Sequence, residues 1–280
     1  MIVMKKEIVQ YIKEIQSFLR LCQNEDGGWP YLLKRQSFSE PTAWSIVFLS
    51  ELKKKNEESE KGIKWLLKTQ NTDGGWPNIR HGPSDIRTAH SVYALTDFQY
   101  PDQIHKGIRW LKFNKRLTGG WAWCYGAYNF VEPTSYAVLA LVKAGALPHK
   151  NELLDFIFSY QCEDGGWNSC SPIMLDVRQK GQISVTPWPL LALKKLGVSS
   201  KDERIRKALQ FLECQTKKLK EPIPYSQSLA LWVSVDYKQK STGKNVLKSL
   251  LEKKLQNIWR ENILWTALLG ISLQRYMEAF

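Results

Sequence analysis

The chain has 280 residues with 40 Lys and Arg against 27 Asp and Glu, a net charge of +13. No stretch approaches the length of a membrane span, the lysines near the N-terminus precede no long apolar core of a secretory signal, and an odd count of five cysteines fits reduced thiols in the cytoplasm rather than a disulfide framework. The lysines are scattered or sit in short runs (Lys53–Lys55, Lys217–Lys218, Lys253–Lys254), so they predict a solvated basic surface. Nucleic acid is not expected, and contact with an anionic membrane surface or a phosphate-bearing substrate stays open.

A phrase recurs along the chain. Outer helices, with an apolar stripe between lysines, are predicted to start near residues 5, 60, 104, 150, 202 and 243. The first ends at Gln23…Asp26-Gly27-Gly28-Trp29, the second at Gln70…Asp73-Gly74-Gly75-Trp76, and the fourth at Gln161…Asp164-Gly165-Gly166-Trp167. Lys115…Thr118-Gly119-Gly120-Trp121 is a degraded copy after the third. Each phrase is followed by a second helix that is apolar on nearly every side and must be buried. These begin at Thr42, Thr88 and Thr134, spaced by 46 residues, then at Thr186, with weaker copies near Ser226 and Trp265. Pro41, Pro133 and Pro187 fall in first turns, where a missing N–H costs little, and Thr186 reads as a cap. Outer half-exposed helices around buried inner ones predict an all-α fold, a single (α/α)6 toroid of six outer and six inner helices spanning residues 1–280.

In such a ring the inner-helix N-termini gather at one mouth, which attracts anions. Arg80, His81, Arg87, Arg178 and Lys180 lie in loops leading to it, and the carboxyls Glu40, Asp85 and Glu132 stand just before or at the inner-helix starts. The acids read either as proton donors or as stabilisers of the helix N-termini. Two residues past each Thr stand Trp44, His90, Tyr136 and Trp188, with Trp232 and Trp265 in the weaker copies. They read either as an aromatic collar that shapes an apolar chain and shields a cation, or as core packing. The Gly-Gly-Trp indoles (Trp29, Trp76, Trp121, Trp167) read as structural, the Gln side chains as ties between the outer-helix end and the turn, and Cys22 and Cys214 as core filling.

Gln…Asp-Gly-Gly-Trp behind Lys-Gly-x-x-Trp-Leu resembles the QW repeat of squalene and oxidosqualene cyclases, a group that includes protein prenyltransferase β subunits and single-domain class II terpene cyclases. Asp85-Ile86-Arg87-Thr88-Ala89 also resembles the Asp-x-Arg-x-Ala stretch of the prenyltransferase subunits. The resemblance spans nearly the whole chain and implies the toroid. Aligned on the Thr-Ala start, Glu40 and Glu132 fall where class II cyclases place the middle aspartate of Asp-x-Asp-Asp, whereas Ser84-Asp85-Ile86-Arg87 loses all three acidic positions. The zinc-ligand positions of the prenyltransferases read Ile183-Ser184-Val185-Thr186 and Leu264-Trp265-Thr266 here, with no ligand among them, so no metal or cofactor is expected.

The leading expectation is therefore metal-independent, proton-initiated cyclisation or isomerisation of an isoprenoid or other long apolar substrate in the central cavity. Glu132, Glu40 or Asp85 would be the acid. The second expectation is a non-catalytic toroid binding a lipid, peptide or protein partner. The third is prenyl transfer to a small acceptor, with a prenyl diphosphate held by Arg80, Arg87 and Arg178.

Overall fold

The structure, a computed structural model, describes residues 2–52, 56–171, 173–174, 177–219, 223–252 and 258–280; Lys53–Lys55 and Lys253–Lys254 lie outside them. The described residues form twelve α-helices, joined by turns that carry two-residue strands and, before the last helix, a short 3-10 helix (Ile258–Glu261). They fall into two compact units.

The first unit holds α1 (Ile2–Cys22), α2 (Ser39–Glu51), α3 (Glu57–Thr69) and, from the C-terminal part, α10 (Pro224–Asp236), α11 (Lys240–Glu252) and α12 (Ile263–Ala279). Its inner helices are α2, α12 and α10, with α12 packed between the other two. Outer helices α3, α1 and α11 lie against α2, α12 and α10 respectively. The second unit repeats the scheme: α4 (Arg87–Leu95), α6 (Val131–Lys143) and α8 (Pro187–Lys195) form the inner row. Behind them stand α5 (Pro101–Phe113), α7 (Lys150–Ser159) and α9 (Glu203–Lys218).

Local chemistry accounts for both helix types. In α3, Gly62, Ile63, Trp65 and Leu66 are buried on one stripe, while Lys64 and Lys68 alternate with them. Its start is fixed by the Asn56 side chain, which accepts from the Ser59 N–H at 3.1 Å, and by Glu57, Glu58 and Glu60 in the first turn. The α2 helix is buried continuously from Ser39 to Leu49, as an inner rod must be.

The repeated turn is a hydrogen-bonded joint. The indole N–H of Trp29 donates to the Leu19 carbonyl at 2.8 Å, that of Trp121 to Leu111 at 2.7 Å and that of Trp167 to Ile157 at 2.8 Å. Each acceptor is in the last turn of the preceding outer helix, where carbonyls lack intrahelical partners. The Gln side chain reaches further than the turn: Gln23 Nε2 donates to Gly27 O and to Glu58 O of α3, and Gln161 Nε2 to Gly165 O and to Arg204 O of α9. It therefore ties one outer helix to the next. The turn aspartate does the same, since Asp26 accepts from the Trp65 indole at 2.9 Å and Asp73 from that of Trp110 at 3.0 Å. In the degraded copy Thr118 replaces the acid, and Phe156, a ring without an N–H, occupies the place of the indole.

The threonines that begin the inner helices play a different part from the expected one. Thr42, Thr88, Thr134 and Thr186 accept from the backbone N–H of Trp29, Trp76, Trp121 and Trp167 at 2.8–2.9 Å. Thr186 makes no side-chain cap bond to α8. A buried N–H just after a Gly-Gly turn has no strand or helix partner, and the hydroxyl supplies one. Gly74 is required twice over: its φ is +91°, and a Cβ there would stand 2.8 Å from the Lys106 carbonyl of the next outer helix. Gly62 lets the Trp29 ring lie on α3, because a Cβ would meet Cζ3 at 2.6 Å.

All five cysteines are free thiols. Burial pushes the Cys22 thiol up to about 12, against a smaller opposing pull from Arg260, and the Cys162 thiol up to about 11. Cys214 is exposed rather than in the core. The buried stripe of α9 runs through Ile205, Ala208, Phe211, Leu212 and Thr216, and position 214 lies off it. At pH 8 a maleimide is expected to label Cys124 and Cys214 of the native protein quickly, and Cys22 and Cys162 only after denaturation, as peptide mapping would show. Keeping the two buried thiols neutral stabilises the fold below the ordinary thiol value of 9.0, and this is lost as pH rises toward 11 and 12.

Candidate functional site

In the first unit, Glu40 sits in the first turn of α2 and is only 8 % exposed. The Tyr31 hydroxyl donates to its Oε2, and the Tyr31 ring leans on Phe38 with centroids 4.9 Å apart. A recess of about 520 Å³ opens beside this pair, lined by Tyr31, Leu32, Lys34, Arg35, Gln36 and Phe38. Further along the same helix Trp44 meets Trp232 of α10 edge-to-face at 5.9 Å. The Arg275 guanidinium lies 4.0 Å over the Trp232 ring while ion-paired with Glu51, so that indole already faces a cation. Trp265 is half-buried, unlike Trp44 and Trp232, and Arg80 is exposed on the segment that packs Pro77 and Asn78 against Ser39.

In the second unit the aromatics converge. Tyr136 of α6 is flanked edge-on by His90 of α4 at 4.4 Å, by Trp188 of α8 at 4.8 Å and by Trp123 at 5.8 Å. His90, Tyr136 and Trp188 are each 1–3 % exposed. The antiparallel pairing of Trp121–Ala122 with Asn129–Phe130 returns the chain to the start of α6 and brings Trp123 beside it. One turn before Tyr136, Glu132 accepts the tyrosine hydroxyl at Oε1, 2.8 Å away. The carboxyl is thus wired to the centre of the aromatic cluster along one helix face.

Asp85 is engaged otherwise. Its Oδ1 accepts from the Arg87 N–H at 2.8 Å and its Oδ2 pairs with the Arg87 guanidinium at 3.4 Å, with side chains 12 % and 20 % exposed. The guanidinium also lies 5.3 Å over Trp123. This acid is bound to the start of α4 and to the Arg87 guanidinium. Arg178 is exposed and paired with Glu163.

Sequence reading missed Tyr31, Trp123 and Arg275. The first two carried a signal: both are aromatics two residues after a Gly-Gly-Trp indole, in Trp29-Pro30-Tyr31 and Trp121-Ala122-Trp123. Arg275 carried none, since its partner Glu51 is 224 residues away. Among the described residues no group of His, Cys, Asp or Glu side chains could hold a metal ion, and no helix is long and apolar enough to cross a membrane.

Solved structures share this architecture. A variant of the type II terpene cyclase MstE from Scytonema, in complex with geranylgeranyl dihydroxybenzoate as substrate, matches with a TM-score of 0.79 at 12 % identity over 100 % of both chains. The ent-copalyl diphosphate synthase from Streptomyces platensis matches with 0.61 at 16 % identity, over 85 % of this chain and 50 % of that one. An α-amylase from Clostridium perfringens matches with 0.67 at 9 % identity over 95 % and 97 %, so the fold alone does not specify a reaction. The fold is the all-α helical toroid of the type II terpene cyclases. The squalene-hopene cyclase N-terminal domain profile matches residues 12–96 and the C-terminal domain profile residues 81–221, half of the chain; the protein belongs to the squalene-hopene cyclase family. No curated protein matches the sequence.

Proposed function

We propose that the protein is a type II terpene cyclase-like enzyme that cyclises or isomerises an isoprenoid or other long apolar chain without a metal, with Glu132 as the initiating acid. The observation that supports this most is the Glu132–Tyr136 hydrogen bond at the centre of the His90, Trp123 and Trp188 cluster. In the protonated state the Glu132 O–H delivers its proton to one carbon of a terminal alkene, whose π pair forms the new C–H bond. The Tyr136 hydroxyl stabilises the carboxylate left behind. The next alkene's π pair closes on the cation, and the aromatic faces shield the positive charge, each contact contributing about 0.5–2 kcal/mol when dry. Loss of a proton to the Glu132 carboxylate ends the sequence, so substrate and product have the same mass.

The test is incubation with geranylgeranyl dihydroxybenzoate, geranylgeranyl diphosphate and squalene in the presence of a chelator. The expected result is a product isomeric with the substrate that gains one deuterium in D2O. Absence of any product together with absence of binding removes the proposal. The near-complete cover of His90, Tyr136 and Trp188 and the ion-paired state of Asp85 favour a second reading, a toroid that binds an apolar partner without turnover. Saturable binding of the same compounds without product selects it.

A further inference from the structure

Independently of the cyclase reading, the first unit carries a second pocket, of about 200 Å³, formed where α1, α11 and α12 meet. Its floor is apolar: Ile8 is 2 % exposed, Tyr276 8 %, and Met277 and Phe280 complete it. Its rim is cationic. Lys5 stands one turn before Ile8 on α1, and Lys240 and Lys244 stand one turn apart on α11, on one face of that helix. Gly243 between them lets α11 lie close against α10 and α12, since a Cβ there would meet the Ser234 hydroxyl at 2.6 Å and the Tyr276 ring at 3.1 Å.

No Asp or Glu lines the pocket, and among the described residues none pairs with Lys5, Lys240 or Lys244; Lys240 lies 5.9 Å over the Phe280 ring. Three lysines at one rim give it a positive charge, to which the N-terminal end of α11, where Lys240 stands, adds. Lysine stems extend an apolar floor while their heads stay in water, an arrangement that suits a ligand with a tail and an anionic head.

We infer that this pocket binds a single-chain amphiphile whose head is a phosphate or carboxylate. The volume is below the roughly 300–1,000 Å³ of drug-sized sites, so it takes a short chain or the end of a longer one. The head could belong to a free amphiphile or to a lipid.

The experiment is calorimetric titration of the full chain with octyl phosphate below its micelle concentration, with octyl glucoside as the neutral control. One saturable site is expected, about tenfold weaker for the glucoside and weakened on raising salt. The Lys240→Glu/Lys244→Glu double variant, on exposed positions, and Met277→Trp, which fills the floor, are each expected to weaken octyl phosphate about tenfold or more. Retention on phosphatidylglycerol but not phosphatidylcholine vesicles, lost in the same variants, assigns the head to a lipid. Octyl phosphate binding without vesicle retention assigns it to a free amphiphile. No saturable binding, equal binding of the glucoside, or binding unchanged in both variants overturns the inference.

Discussion

Replacing Trp167 by alanine is expected to lower stability by about 3–5 kcal/mol, the cost of emptying a fully buried indole site. The ring is 0 % exposed, its N–H donates to the Ile157 carbonyl at the end of α7, and its backbone N–H is held by Thr186. The substitution therefore loosens the joint between α7 and α8 as well as leaving a void. Thr186→Val removes the acceptor of the Trp167 backbone N–H, with the weaker bond the hydroxyl donates to the Trp167 carbonyl at 3.2 Å, and leaves the N–H buried, which costs about 1–3 kcal/mol. Trp265→Ala is the reference, since that side chain is half-buried and no repeated joint contains it. Urea unfolding followed by circular dichroism should order the three as Trp167→Ala, then Thr186→Val, then Trp265→Ala. Equal effects of the two tryptophan changes would mean that the repeated turn is not the joint described above.

That joint shows how much of the fold the repeat announces. Helix number, helix order and the buried character of Trp29, Trp76, Trp121 and Trp167 follow from amphipathic spacing and Gly-Gly alone, because these are local properties. The partners inside the joint are not local. Asp26 was readable as a turn residue, but its bond to Trp65 joins one repeat to the next across 39 positions. Thr186, standing before Pro187 at a helix start, reads as a helix cap in the sequence, and here a backbone N–H from the preceding turn competes for its hydroxyl and wins. The site was legible to a similar degree. The i, i+4 spacing that places Glu132 under Tyr136 lies within one helix, and the pairing of Tyr136 with His90 and Trp188 follows from equivalent positions on neighbouring inner helices. The sequence sets Asp85 apart from Glu132 only by alignment, since it falls off the acidic positions that Glu132 matches. The structure adds Arg87, whose guanidinium folds back on the acid two residues earlier.

Under the cyclase proposal this difference decides which carboxyl matters, and three substitutions of nearly equal volume expose it. Glu132→Gln leaves an amide in the same space, without the transferable proton, and is expected to lower turnover by about 10²–10⁴-fold, the range of general acid catalysis. Binding of the apolar substrate should be nearly unchanged, because the aromatic cluster is intact. Asp85→Asn acts on the start of α4 instead: the amide oxygen still accepts from the Arg87 N–H, and losing the negative charge at the helix start and its pairing with Arg87 costs about 0.3–1 kcal/mol of stability. Turnover per folded molecule should persist. Tyr136→Phe keeps the ring between His90, Trp123 and Trp188 and removes only the hydroxyl on Glu132, so its effect should fall between the two, on kcat rather than on KM. Glu40→Gln is the competing case, for Glu40 has its own tyrosine and lies beside the open recess at Tyr31. A Glu40→Gln enzyme that is inactive beside an active Glu132→Gln would move the acid to the start of α2. There the nearest aromatic wall is Tyr31 and Phe38, since the indole of Trp232 further along already faces the Arg275 cation.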